Sequence, residues 1–445
     1  MSNEIEEQME SSSESEDEVM EEGEEVDDDD RPKTYLPDQP LKEDEHLVCD
    51  QSAYVMLHQA QTGAPCLSFD VITDNLGSDR HEFPMTTYLV AGTQASSAHL
   101  NNVLVIKMSN LHQTSKEAEN EESDSDDDDD EEEEDDEKKP EMTFSFIKHQ
   151  GCVNRIRATN FKNSVLAASW SELGRVDIWN ITQQLQAVDD PTLLERYNLE
   201  SVNNPVRPLY SFNGHQQEGF GIDWSPTEPG VLATGDCRRD IHIWTPNEAG
   251  TWDVDQRPLV GHTASVEDIQ WSPNERKVLA SCSVDKSIRI WDTRAAPNKA
   301  CMLTAEDAHQ SDINVISWNN KEPFIASGGD DGFLHIWDLR QFSNKTPVGT
   351  FKHHTAPVTS VEWHWTEPSV LASAGEDHQV ALWDLAVERD DDDLVDEELK
   401  NLPPQLLFIH QGQSDIKELH WHRQIPGVMI TTAHTGFNVF KTISV

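Results

Sequence analysis

The chain is short of positive charge. Its 445 residues include 33 Lys and Arg against 84 Asp and Glu, a formal net charge of −51. Affinity for DNA or RNA is built on Lys and Arg neutralising phosphates, so direct nucleic-acid binding is not expected. No apolar run approaches the roughly 18–20 residues a membrane helix needs, so no membrane span is expected either. The acidic N-terminus lacks the positive flank and apolar core of a secretory signal. Cys49, Cys66, Cys152, Cys237, Cys282 and Cys301 form no CxxC pair and no regular pattern. They read as reduced, mostly buried residues of a soluble intracellular protein rather than a disulfide framework or a zinc site. No GxxxxGK[ST], GxSxG or HExxH occurs, so neither an enzyme nor a cofactor is expected. His420 and His422 flank Trp421 along a strand-like run, where a structural role is expected and a metal is not.

The acids that are present are concentrated. Residues 1–30 carry 16 acids and no base, residues 117–137 carry 17 and no base, and residues 388–398 carry 8 acids and one Arg. These runs hold −40 of the net charge, leaving −11 for the other 383 residues. Blocks of like charge repel, resist compaction and act as interaction segments, and the partner they suit is basic.

The rest of the chain repeats itself. Residues 214–244, 261–292, 308–338 and 353–384 share one frame, with a terminal Trp at 244, 291, 337 and 383. Each unit alternates short Val/Ile/Trp-rich runs with Ser-Pro, Glu-Pro or Asp-Gly turns, which predicts strands and tight turns. A period of 46–47 residues with GH and WD signatures resembles the WD-repeat β-propeller, four strands to a blade. Residues 149–179 and 410–440 are weaker copies, and 65–111 supplies three plausible strands of a divergent first blade. The expected fold is all-β: a seven-bladed propeller over 65–445, preceded by an acidic tail at 1–42 and a helix within 43–64.

The recurring polar residues have a structural explanation. His262, Ser281, Asp285 and Trp291 recur in frame as His309, Ser327, Asp331, Trp337 and as His354, Ser373, Asp377, Trp383. A set repeated in every blade predicts a buried hydrogen-bond network locking a turn, not a catalytic triad. Two units depart from it, with Arg238 and Leu173 where Asp is expected.

Two other segments stand out. Residues 50–63, DQSAYVMLHQAQTG, predict a short helix with Asp50 as N-cap and Gly63 beyond its end. From Trp383 to Phe440 is 57 residues, about ten more than the repeat requires, and the excess falls in an acidic, leucine-containing loop over 386–404 that ends in Pro403-Pro404. The N-terminal segment, PCLSF opening the first blade, and an acidic insertion closing on PPxLLFIH together resemble the histone-binding, retinoblastoma-associated class of WD proteins. The stretches AYVMLHQAQTGAPCLSFD, AGTQASSAHLNN, ASCSVDKSIRIWDTRAAPNKACMLT and FKTISV are similar to its glutamate-rich branch.

That resemblance implies a groove in which a helix and the Pro-Pro loop grip a histone helix. By position it would use Tyr54, Leu57 and His58 with Asp391, Asp392, Asp393, Leu394, Glu397, Leu402, Pro403 and Pro404. It also implies a nuclear and nucleolar protein, partly cytoplasmic. The implied role is to chaperone a basic ribosomal protein of the large subunit and to meet pre-ribosomal particles through protein contacts. Histones and replication-licensing chromatin are implied in animals.

Three weaker readings complete the expectations. Glu267, Asp312, Asp330 and Glu376 recur near one set of turns and predict an acidic mouth to the ring. Trp291-Asp292-Thr293-Arg294 and Trp337-Asp338-Leu339-Arg340 match the WDxR pattern by which WD proteins dock on a cullin-ligase adaptor, giving Arg294 and Arg340 as an alternative partner site. Ser11, Ser13, Ser15, Ser123 and Ser125 each have an acid three residues on and suit an acid-directed kinase. The acidic insert itself is expected at 112–141, between two strands of the first blade.

Overall fold

A computed structural model of the chain describes residues 49–114, 139–388 and 402–445. Its strands form seven four-stranded antiparallel sheets. The closing strand β1 is Tyr54–Ala60. Blade 1 is β2 (Cys66–Ile72), β3 (Met85–Thr93), β4 (Asn102–Leu111) and β5 (Glu141–Lys148). Blade 2 is β6 (Val153–Phe161), β7 (Ser164–Ser171), β8 (Arg175–Asn180) and β9 (Tyr210–Phe212). Blade 3 is β10 (Gly221–Trp224), β11 (Leu232–Gly235), β12 (Ile241–Pro246) and β13 (Trp252–Val254). Blade 4 is β14 (Val266–Trp271), β15 (Val278–Ser283), β16 (Ile288–Asp292) and β17 (Cys301–Ala305). Blade 5 is β18 (Ile313–Trp318), β19 (Phe324–Gly329), β20 (Phe333–Asp338) and β21 (Gly349–Lys352). Blade 6 is β22 (Val358–Trp363), β23 (Val370–Gly375), β24 (Val380–Asp384) and β25 (Leu406–His410). Blade 7 is β26 (Ile416–Trp421), β27 (Val428–Ala433) and β28 (Gly436–Thr442), completed by β1. The chain is a seven-bladed WD-repeat propeller.

The repeated tryptophans are the pegs of this fold. Trp244, Trp291, Trp337 and Trp383 are buried on third strands, and each indole donates to a hydroxyl one strand away. In blade 4, Trp291 Nε1 lies 2.8 Å from Ser281 Oγ, His262 Nε2 2.7 Å from the same oxygen, and His262 Nδ1 2.9 Å from Asp285. Blades 5 and 6 repeat the set through His309 and His354. The two departing units are repaired differently. In blade 3, Asp236, two positions before Arg238, takes His215 at 2.8 Å, and Thr234 replaces the serine. In blade 2 the carbonyl of Gly151 serves His149, and Leu173 stays exposed.

Neighbouring blades are joined by acids on the inner strands. Asp70, Asp223, Asp268, Glu362 and Glu418 each accept a backbone amide of the next blade: Ala158, Trp271, Ile316, Trp421 and Phe69 respectively. Small residues let the sheets approach. A Cβ on Gly92 or Gly328 would overlap Val153 or Val358 of the following blade.

Two features differ from the sequence reading. The residues expected to form a helix over 50–63 form one 3-10 turn, Gln51–Ala53, whose amide at Ser52 is capped by Asp50, and then β1. β1 pairs antiparallel with β28 from Tyr54 opposite Thr442 to Ala60 opposite Phe437. Tyr54, Val55, Met56 and Leu57 favour extended backbone, and the free edge of β28 satisfies their amides while Tyr54 and Met56 are buried. The ring therefore starts at 54, not 65. Second, two helices, α1 (Thr182–Asp189) and α2 (Pro191–Asn203), fill the β8–β9 connection. Asp190 caps α2 at the amides of Thr192 and Leu193, and Tyr197 donates to the Phe146 carbonyl of β5.

Because the strands of each blade alternate in direction, the first-to-second and third-to-fourth connections lie at one end of every blade. The repeated His–carboxylate turns lie at the other. The long β4–β5, β8–β9 and β24–β25 connections all leave from the same end.

Candidate functional site: the seam of the ring

β1 gathers the roots of the acidic segments. Behind it, Tyr54 is 4% exposed, with its ring edge-on to Phe408 at 5.4 Å and to Phe440 at 6.1 Å. Its hydroxyl is 2.7 Å from His410 Nδ1. Burial holds the phenol far above its ordinary range and pushes the His410 imidazole down to about 3, so this pair stays neutral. Tyr54 therefore clamps β1 to β25, the strand on which the Pro-Pro loop ends. At the base of that loop, Leu402, Pro403 and Pro404 are half-buried, Leu406 N donates to Pro403 O at 3.0 Å, and Gln405 Nε2 reaches Val387 O.

On its other edge β1 receives the stem of the 112–141 insert. Thr114 N donates to Val55 O at 3.1 Å, Leu57 N donates to Thr114 Oγ1 at 3.0 Å, and His58 Nε2 is 2.8 Å from the carbonyl of His112. Burial lowers the His58 pKa, which keeps this contact uncharged. The insert departs from the end of β4 and returns at β5, where Ser109 faces Glu141. Cys49 and Asp50, which follow the acidic N-terminal run, lead straight into β1. Three acidic segments thus have a root within a few residues of Tyr54.

This arrangement corrects the expected groove. Tyr54, Leu57 and His58 lie on a strand, and Tyr54 belongs to the core between blades 6 and 7. Leu57 is half-buried against the same core and the His58 ring is engaged by His112, so these three do not form a helical wall. Asp391, Asp392, Asp393, Leu394 and Glu397 lie outside the described residues, as do Ser11, Ser13, Ser15, Ser123 and Ser125. Sequence reasoning missed Thr114 and His410. Only the pairing of β1 with strands more than 50 residues away gives them meaning.

At the opposite end of the ring, three of the four mouth acids influence one another. Burial raises the Glu267 pKa, and Asp312 and Asp330 raise it further. Asp330 also accepts Asn314 Nδ2 at 2.8 Å. Glu376 is tied to Lys417 at 3.3 Å, which also pairs with Asp415 at 2.6 Å, so its charge is largely answered within the chain. Deeper in the ring, Glu418 is almost fully buried between Arg155 at 3.1 Å and Arg157 at 2.6 Å. Burial favours its neutral form, but the two guanidinium groups overcome this and hold the carboxyl well below its usual range. Arg294 and Arg340 each form a planar fork with their own Asp292 or Asp338, and their side chains are 63% and 64% exposed at the ends of neighbouring blades. Among the described residues, no group of three or more His, Cys, Asp or Glu is placed to hold a metal ion. No helix among them is long and apolar enough to cross a membrane.

Comparison with known proteins agrees with this architecture. Residues 44–112 match the family model described as histone-binding protein RBBP4 or a component of the CAF1 complex. Residues 254–292, 300–338 and 345–384 match the WD domain, G-beta repeat. The chain is 45% identical to glutamate-rich WD repeat-containing protein 1 of Dictyostelium discoideum over 413 residues, covering 91% of this chain and 83% of that one. It is 44% identical over 439 residues to protein HEAT STRESS TOLERANT DWD 1 of Arabidopsis thaliana, covering 91% and 90%. It is 41% identical over 422 residues to ribosome assembly protein rrb1 of Schizosaccharomyces pombe, covering 92% and 84%. A WD-repeat ring with this N-terminal strand and these acidic connections, alike along nine-tenths of its length to such relatives, belongs to the glutamate-rich WD-repeat family within the histone-binding WD class.

Proposed function

We propose that this chain is a non-enzymatic carrier and scaffold for basic nuclear proteins. Its main client would be a basic ribosomal protein of the large subunit during ribosome assembly, and histones would be a second. The observation that carries this reading is the common seam: the N-terminal segment, the 112–141 insert and the Pro-Pro loop are all rooted around β1. Fields of exposed charges decay over about 8 Å at physiological salt, so polyanions rooted together act on one partner while scattered ones do not. A Lys/Arg-rich chain meeting them is screened from itself and withheld from competing RNA or DNA. The acidic mouth at Glu267, Asp312 and Asp330 is a second cationic contact at the other end of the ring. The names of the fission-yeast relative and of the matched histone-binding family model support these two client classes, and such clients imply work in the nucleus and nucleolus. Pre-ribosomal particles are then met through protein rather than RNA.

Crosslinking and pull-down from nuclear extract test this. Recovery of neither a basic ribosomal protein nor histones would sink the proposal. Deleting 117–137 should slow capture, whereas deleting 388–402 should reduce discrimination between clients; unchanged affinity in the second variant removes the loop from the recognition site.

One observation favours a second role. The matched Asp292–Arg294 and Asp338–Arg340 forks present the same exposed donor pattern on adjacent blades, as docking to a cullin-ligase adaptor would require. Arg294→Ala with Arg340→Ala should abolish adaptor co-purification and leave client binding intact. No adaptor recovered with the wild-type protein ends that reading.

A further inference from the structure

The β2–β3 connection, residues 73–84, is longer than its counterparts in the other blades and lies at the same end of the ring as the acidic roots. It is held to blade 7 by one side chain: Gln424 accepts the Asp74 amide at 2.7 Å through Oε1 and donates through Nε2 to the carbonyls of Asp74 and Gly77. The Arg80 amide returns to the Gln424 carbonyl. Between this connection and blade 7 is a cavity of about 500 Å³. Met85 and Ile425, both buried, together with Phe83 and Pro84, provide its apolar surface, and Leu76 stands at the rim 57% exposed.

The polar groups at the cavity are lopsided. Arg80 gives Nη2 to Asp74 at 2.7 Å and Nη1 to the Thr86 carbonyl, but its Nε–H, also buried, has no acceptor. In the adjoining turn, His422 accepts the amides of Gln424 and Ile425 on Nδ1, which leaves Nε2 as an N–H donor, and it too is buried without an acceptor. A buried donor left unmatched costs about 1–3 kcal/mol. With Arg80 neutralised by Asp74, the remaining rim charges are Asp79 and Glu82; His81 is 3.2 Å from Asp79. The wall therefore offers a hydrogen-bond donor and an apolar floor inside negative flanks.

We propose that this cavity is a docking site for an extended basic peptide segment with one apolar anchor. The anchor side chain packs on Met85, Phe83 and Ile425, a peptide carbonyl accepts from Arg80 Nε, and flanking Lys or Arg side chains meet Asp79 and Glu82. An acidic guest would meet repulsion at the rim. This site deepens the basic-client reading and rests on it, adding selection for sequence to capture by charge.

Two probe peptides test it against the full-length protein: nine residues, blocked at both ends, with a central leucine between lysines, and the same peptide with glycine at the centre. Binding is measured by fluorescence anisotropy at physiological salt. The leucine peptide should bind about tenfold tighter, the effect of burying one aliphatic side chain. Leu76→Asp, at an exposed position, and Arg80→Lys, which keeps the charge but loses the Nε–H donor, should each erase most of that preference without changing affinity for the glycine peptide. Equal binding of the two peptides overturns the cavity and leaves charge capture standing. A preference undiminished in both variants places the anchor elsewhere and also overturns it. Failure of both peptides to bind sinks the basic-client reading as well.

Discussion

Truncating Met56 to alanine tests how the ring closes. Met56 is fully buried on β1, in the cluster that holds Phe69, Ile430, Phe437 and Val439. Removing most of that side chain forfeits its transfer energy and leaves a cavity, roughly 2–5 kcal/mol in comparable sites. Folded domains have only about 5–15 kcal/mol in total. The loss should also be local, because β1 joins the ring through β28 on one edge and through the Thr114 stem on the other. The expected result is a lower denaturant midpoint, with faster amide hydrogen exchange in β1 and β28 and unchanged exchange in β14, β15, β18 and β19. A loss of ~2 kcal/mol corresponds to about thirtyfold in local opening. Capture of a basic client should weaken in parallel, since the insert loses its anchor. A change below about 0.5 kcal/mol, the size of an ordinary surface substitution, would refute the reasoning. So would a uniform rise in exchange around all seven blades.

Other perturbations have equally definite outcomes. Burial opposes charge on His420, but Glu362 at 3.1 Å and Glu418 raise its pKa to about 9. The folded value is raised, so this stabilisation is complete below the ordinary 6.5 and lost as pH rises through about 9. Denaturation midpoints across that window should fall more steeply for the wild type than for His420→Gln, and equal slopes would contradict the assignment. Burial alone would raise the pKa of Asp331, yet hydrogen bonds from His309 and from the amides of Gln310 and Phe333 lower it to about 2. Its contribution is present above the ordinary 3.8 and lost as pH falls through about 2, so acid unfolding of Asp331→Asn should show a shallower pH dependence. Glu418→Ala strands Arg155 and Arg157 together inside the ring and should cost about 3–5 kcal/mol, read by urea denaturation; a near-neutral effect would mean the pair is solvated. Tyr54→Phe removes the hydroxyl facing His410 and should cost about 1–3 kcal/mol with unaltered circular dichroism.

The propeller was legible because its determinants are local and repeated. A Trp every 46–47 residues and its preceding His and Ser occupy fixed positions in each unit, and each residue's partner lies within about 25 positions. The segment over 50–63 was misread for the opposite reason. Tyr54, Leu57 and Ala60 satisfy helical spacing, and the pairing that makes them a strand is with β28 at the far end of the chain. The blade 3 repair was hidden because Asp236 does a job the frame assigns to position 238. The α1–α2 pair did leave a trace. Trp179 to Trp244 is 65 residues, well over one repeat, and Asp190-Pro191 is an N-cap followed by the favoured first residue of a helix. The acidic runs could be counted from sequence, but their common root could not, because it depends on contacts made by Thr114 and His410 across blades.

The strand synthesised first is the last to find its place. β1 must wait for β28, and at roughly 5–20 residues per second the ribosome needs about 20–80 s to travel between them. Through that interval Tyr54 and Met56 have no partner strand, beside an acidic run whose repulsion opposes association with other nascent chains. A chain cut before Gly436 can build six blades yet has no edge to receive β1. The meeting of the acidic roots at the seam is therefore a property of finished molecules alone, and an interrupted product carries the same charge without the geometry that gathers it.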